Sequence, residues 1–162
     1  SSGNCLFHAL AYFERHFHSM SSVTGGTVAI FDHRDIRHRL CRVLTWLSEY
    51  RPGNEPPAGS TFGQLAFDLE RNGSFMSIDE TVLIVLAWLM KRPIKVLAAR
   101  SIQGDHFCAT SAYGPELGSS IGLPVDESWL NVRVEDADHS AQTVHLANRQ
   151  ASPAHYDLIE LA

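Results

Sequence analysis

The chain has 162 residues, 44% of them hydrophobic and 19% charged, the balance of one soluble globular domain able to bury roughly two-thirds of its unfolded-state surface. Its formal charge of −5, with no basic stripe, argues against a nucleic-acid partner. No apolar run is long enough to span a bilayer, and three scattered cysteines make no disulfide framework, so a reducing compartment is expected.

The first predicted helix covers residues 5–18, where Leu6, Phe7, Leu10, Phe13 and Phe17 form an apolar stripe. Gly3 permits a tight turn before it, and Asn4 is a good helix-start residue. A polar turn at 19–26 and a short extended stretch at 27–31 follow. Asp32 is then placed to cap a second helix with stripe Ile36, Leu40, Val43, Leu44 and Leu47, which ends before Pro52. Residues 51–60, with Pro52, Gly53, Pro56, Pro57 and Gly59, read as a loop. Thr61 opens a third helix through Leu65 and Leu69, ending at Asn72-Gly73. Ser77 or Asp79 begins the most apolar helix, with Lys91-Arg92 at its C-terminal end. Strands are predicted at 94–99, 107–112, 129–134, 143–146 and 155–161. Between them, 113–126 carries Gly114-Pro115, Gly118, Gly122 and Pro124, the composition of a mobile loop. Helices precede strands, so an α+β domain is expected, its C-terminal strands paired and its helices alongside.

Two local patterns carry chemistry. Cys5 falls in the first turn of the first helix, where the dipole and free N–H groups favour a thiolate and point at any oxyanion formed beside it. Taken alone, a small buried cysteine fits that position at least as well, and Cys41 and Cys108 are read as packing residues. In the last strand, His155 and Asp157 alternate onto one face, where a carboxylate can orient an imidazole, while Tyr156 points with Leu158 to the other. Cys5, His155 and Asp157 together have the form of a nucleophile, a base and an orienting acid drawn from distant parts of the chain.

The segment Gly3-Asn4-Cys5-Leu6-Phe7-x-Ala9-Leu10, with a terminal His155-Tyr156-Asp157, resembles the ovarian-tumour (OTU) cysteine proteases, most of which are deubiquitinases. Asp35-Ile36-Arg37, Asn72-Gly73-Ser74-Phe75, Asp79-Glu80 and Arg92-Pro93-Ile94-Lys95-Val96 are similar to the family's middle motifs, so the resemblance spans nearly the whole chain. It implies a single catalytic domain over 1–162, cut from a longer polypeptide, with a papain-type fold of helices on a small, mostly antiparallel sheet. It implies hydrolysis of the isopeptide bond after the ubiquitin C-terminal glycine. Cys5 would attack, His155 would transfer protons, Asp157 would hold His155, and backbone N–H groups of Ser2, Gly3, Asn4 and Cys5 would bind the oxyanion. The partner would be ubiquitin or its chains, whose arginine-containing tail suits a mildly acidic surface. Neither cofactor nor metal is implied, and the expected location is cytoplasmic, the host cytosol for a pathogen's protein. Other substrates open to such an enzyme are a ubiquitin-like modifier and its own parent polypeptide; the non-enzymatic alternative is an inactive ubiquitin-binding module. Ser2 stands where the family usually has Asp, and Phe75 where many members carry Trp.

Nine histidines invite a metal, but His16, His18, His33 and His38 lack the spacing of zinc ligands and no Cys-x-x-Cys exists. His8, one turn from Cys5, is an alternative base. Asn131, Asp136, Asp138 and Asn148 are alternative orienting groups, and Trp129 an alternative substrate contact.

Overall fold

The computed structural model describes residues 4–21, 32–71, 80–99, 107–124, 143–151 and 154–159. Helix α1, Cys5–Ser21, runs one turn beyond the expected end at His18. Helix α2, His33–Tyr50, is capped as predicted: Asp32 Oδ1 accepts from the Asp35 N–H at 2.9 Å. Helix α3, Phe62–Glu70, starts at Thr61, whose hydroxyl accepts from the Gln64 N–H at 3.1 Å. A second free donor there, the Phe62 N–H, is taken by Glu55 Oε1 at 3.0 Å. Each cap satisfies a backbone donor that the helix cannot, a contribution of about 1 kcal/mol.

Helix α4, Glu80–Met90, is buried from Thr81 to Ala87 on every side. Its uniform hydrophobicity is that of a helix inside the core, not of one lying on it. The same core cluster takes in Leu6, Phe7 and Leu10 of α1, Leu40, Leu44 and Leu47 of α2, and Phe62 and Leu65 of α3. No described helix is long and apolar enough to cross a membrane.

Among the described residues four strands form one mixed sheet in the order β2-β1-β3-β4: β1 Ile94–Ala99, β2 Phe107–Tyr113, β3 Val144–Ala151 and β4 Ala154–Ile159. The β1–β2 and β3–β4 pairs are antiparallel and β1–β3 is parallel, so the described sheet is mostly antiparallel and its two last strands pair, as expected. Strand β3 runs further than the predicted 143–146 because it is zipped to β4 as far as Ala151↔Ala154. The expected strand at 129–134, the stretch at 27–31 and the Asn72-Gly73-Ser74-Phe75 motif lie outside the described residues.

Two expectations change. The stretch read as a mobile loop contains a 3-10 helix, Pro115–Ile121, docked on α4. Its glycines serve close approach and a sharp exit. A Cβ on Gly118 would lie 2.5 Å from Trp88 Cδ1, and Gly122 has φ +94°, which favours glycine. Trp88 Nε1 completes the seam by donating to the Pro124 carbonyl at 2.8 Å. Arg92, read as part of a helix end, is instead buried. Its Nε donates to Glu14 Oε1 at 2.6 Å and its guanidinium lies 5.3 Å from the Phe13 ring, tying the entry to β1 to the middle of α1.

Candidate active site

The first helical hydrogen bond of α1 runs from the His8 N–H to the Asn4 carbonyl at 2.9 Å, so Asn4 is the hinge between the incoming chain and the helix. Cys5 is the next residue, half-buried and packed against the core cluster. That places the sulfur beside the first N–H groups of the helix, which have no partner within it. Ser2 and Gly3 lie outside the described residues.

Asn4 was expected to turn its side chain to the helix's own N–H groups. Instead its Oδ1 accepts a hydrogen bond from Arg37 Nη1 at 2.9 Å. Arg37 is buried, and it also donates to carbonyls at the end of α3: Nε to Leu69 at 3.1 Å, and Nη2 to Arg71 at 2.8 Å and Asp68 at 3.5 Å. Burial lowers its pKa, but a guanidinium remains charged. Sequence reasoning named this residue only within the Asp35-Ile36-Arg37 motif and gave it no role. The signal was an arginine three positions before Leu40 and seven before Leu44, on the buried stripe of α2.

Helix α1 packs on β4, the strand that carries His155 and Asp157. His155 lies opposite Gln150, Tyr156 opposite Asn148 and Asp157 opposite Ala147. Directly paired residues share a face, so Tyr156, Leu158, Asn148 and Leu146 belong to one side of the sheet, and Asp157, Ile159 and Ala147 to the other. Tyr156 is buried in the same cluster as Leu6 and Phe7, with Leu158 packed against it, as the alternation predicted. Its phenol is pushed up to about 12, chiefly by burial, then by Tyr113 and by Cys5. The Cys5 contribution sets the start of α1 within electrostatic range of β4. Asp157 is half-buried on the alternate face, and the His155 side chain lies outside the described residues.

The alternative groups separate. His8 is exposed and its ring stacks on His33 at 3.9 Å between centroids, a contact that burial and the neighbouring His8 charge register as a lowered His33 pKa. Asn148 keeps Oδ1 buried with no hydrogen-bond partner among the described residues. Asn131, Asp136, Asp138 and Trp129 lie outside them. Cys41 is the packing residue expected, its thiol 3.6 Å from the Ala66 carbonyl and its pKa raised by burial. Among the described residues no group of three or more His, Cys, Asp or Glu side chains is arranged to hold a metal. Two open grooves of about 730 and 780 Å³ flank α2, and neither is lined by Cys5. The candidate site lies where the start of α1 meets β4.

No family model and no curated protein sequence matches the chain. Solved structures do. The OTU domain of OTUD1 matches with a TM-score of 0.55 at 13% identity, over 97% of this chain and 79% of that one. An OTU deubiquitinase from Wolbachia pipientis wMel, solved bound to ubiquitin, matches with a TM-score of 0.52 at 15% identity, over 99% and 91% of the two chains. At such identity the likeness is one of backbone course, and it extends across the helices and the mixed sheet alike. The chain has an OTU-like fold.

Proposed function

We propose that the chain is a thiol-dependent ubiquitinyl hydrolase, acting in a reducing, cytoplasmic compartment on the isopeptide bond after the ubiquitin C-terminal glycine. One observation carries the reading: in an OTU-like fold, a cysteine is the first residue of a helix that packs on the strand bearing His155 and Asp157. A neighbour of the same fold holds ubiquitin, which favours ubiquitin as the substrate.

The Cys5 thiol gives its proton to His155 as the sulfur attacks the glycine carbonyl carbon. Electrons of the C=O bond move to oxygen, and backbone N–H groups from Ser2 to Cys5 receive that oxyanion. Collapse of the adduct breaks the C–N bond, and the lysine amine leaves with the proton held by His155. Water, deprotonated by the same imidazole, then attacks the thioester and releases the ubiquitin carboxylate and the thiol. Asp157 accepts the second N–H of His155, fixing the tautomer and stabilising the imidazolium.

The test is hydrolysis of lysine-linked di-ubiquitins and of ubiquitin carrying a fluorescent C-terminal amide. Wild-type protein should cleave, and Cys5→Ala should lose activity by at least about a thousandfold. Cleavage undiminished in Cys5→Ala would overturn the reading. Cleavage of a ubiquitin-like modifier alone would move the substrate, and binding of ubiquitin without turnover would mark an inactive module.

A further inference from the structure

We infer that Arg37 is a positioning residue for the catalytic turn, holding Asn4, and through it Cys5, in register with the end of α3. This rests on the reading of Cys5 as nucleophile. The guanidinium spans two elements that nothing in sequence joins, 33 residues from Asn4 on one side and 32 from Leu69 on the other. Its partners on the α3 side are carbonyls at a helix C-terminus, the negative end of the dipole, which suits a cation. Its partner on the α1 side is the side chain of the residue that also accepts the first helical hydrogen bond.

The chemistry of Arg37 is costly if its task is packing alone. A buried charge loses several kcal/mol of hydration, and an apolar residue of similar volume would fill the space at no such loss. A planar fork with donors on separate edges does what an apolar side chain cannot: it fixes a carboxamide and three carbonyls at once. The Phe7 ring, 5.4 Å from the guanidinium carbon, lies beneath it. Asn4 is therefore held from the side as well as along the helix. If that hold is released, the Asn4 carbonyl, the first-turn N–H groups and the Cys5 sulfur turn together.

The experiment compares Asn4→Ala, Arg37→Lys and the double variant in the full chain, with two measurements. The first is kcat and KM on ubiquitin with a fluorescent C-terminal amide. The second is the rate of Cys5 alkylation by iodoacetamide at one fixed pH, resolved from Cys41 and Cys108 by peptide mass, which needs no ubiquitin. Each single variant should lower kcat by roughly tenfold or more with KM within about twofold, since a small misplacement costs turnover rather than binding. Alkylation should slow severalfold, and the double variant should be no worse than the worse single, because the two residues act as one unit. Effects that multiply, a change in KM alone, or unaltered alkylation in both single variants would overturn the inference. Should Arg37→Lys fail to fold, the half-buried Asn4 decides alone through Asn4→Ala. Should wild-type protein not act on ubiquitin, the alkylation rates still decide the positioning, and the functional reading falls separately.

Discussion

Tyr156 stands between the proposed base and its orienting acid, and its environment is strongly apolar. A phenol that ionises near 10 when unfolded and near 12 when folded leaves the unfolded state holding fewer protons across that interval. Stability from this group is therefore intact below pH 10 and lost as pH rises toward 12. Urea denaturation should show Tyr156→Phe losing less stability than wild type between those values; equal losses would mean that the phenol is solvated. The face assignment of the neighbours gives a sharper comparison. Asp157→Ala should reduce kcat by tenfold or more with KM little changed, about the size of effect expected when an imidazole loses its orienting group. Asn148→Ala, on the Tyr156 face, should leave kcat within about twofold. If Asn148→Ala is the damaging change, the orienting role belongs to β3. The strand carrying His155 and Asp157 was readable because its alternation of faces is strict; the clamp on Asn4 was not, because it joins residues 33 apart through a side chain that composition would place on the surface.

Caps and apolar stripes made α2 and α3 predictable almost to the residue, since both Asp32 and Thr61 act through contacts three positions away. Longer contacts hid the rest. The glycines of 114–122 read as flexibility, yet Gly118 lets the 3-10 helix lie against Trp88. Gly118→Ala should lower stability by about 1–3 kcal/mol through overpacking, seen as a lower urea midpoint with an unchanged slope. Arg92 read as part of a helix's C-terminal end, yet it reaches 78 residues back to Glu14. Glu14→Ala takes the carboxylate away from a buried guanidinium and should cost about 3–5 kcal/mol, whereas Glu14→Leu with Arg92→Met should fall close to wild type. A small loss in Glu14→Ala would show that water reaches the pair.

Across the domain, the proposed chemistry lies at one margin of a conventional core. The apolar helix α4 and the strands β1 and β3 fill the middle, and α1 brings its N-terminus to β4 at the edge of the described sheet. Periodicity alone was enough for an α+β arrangement with paired final strands. The parallel β1–β3 contact was not predictable, because it depends on a crossover whose path no local pattern encodes. The proposed site was named from residue types at the two ends of the chain, and the fold brings their elements, α1 and β4, into contact. The most direct measurement is intact mass and peptide mapping after incubation with ubiquitin bearing a C-terminal electrophile. One ubiquitin should be added per chain, linked at Cys5, absent in Cys5→Ala and much slower in His155→Ala. Labelling at Cys41 or Cys108 instead, or no adduct on folded wild-type protein, would contradict it.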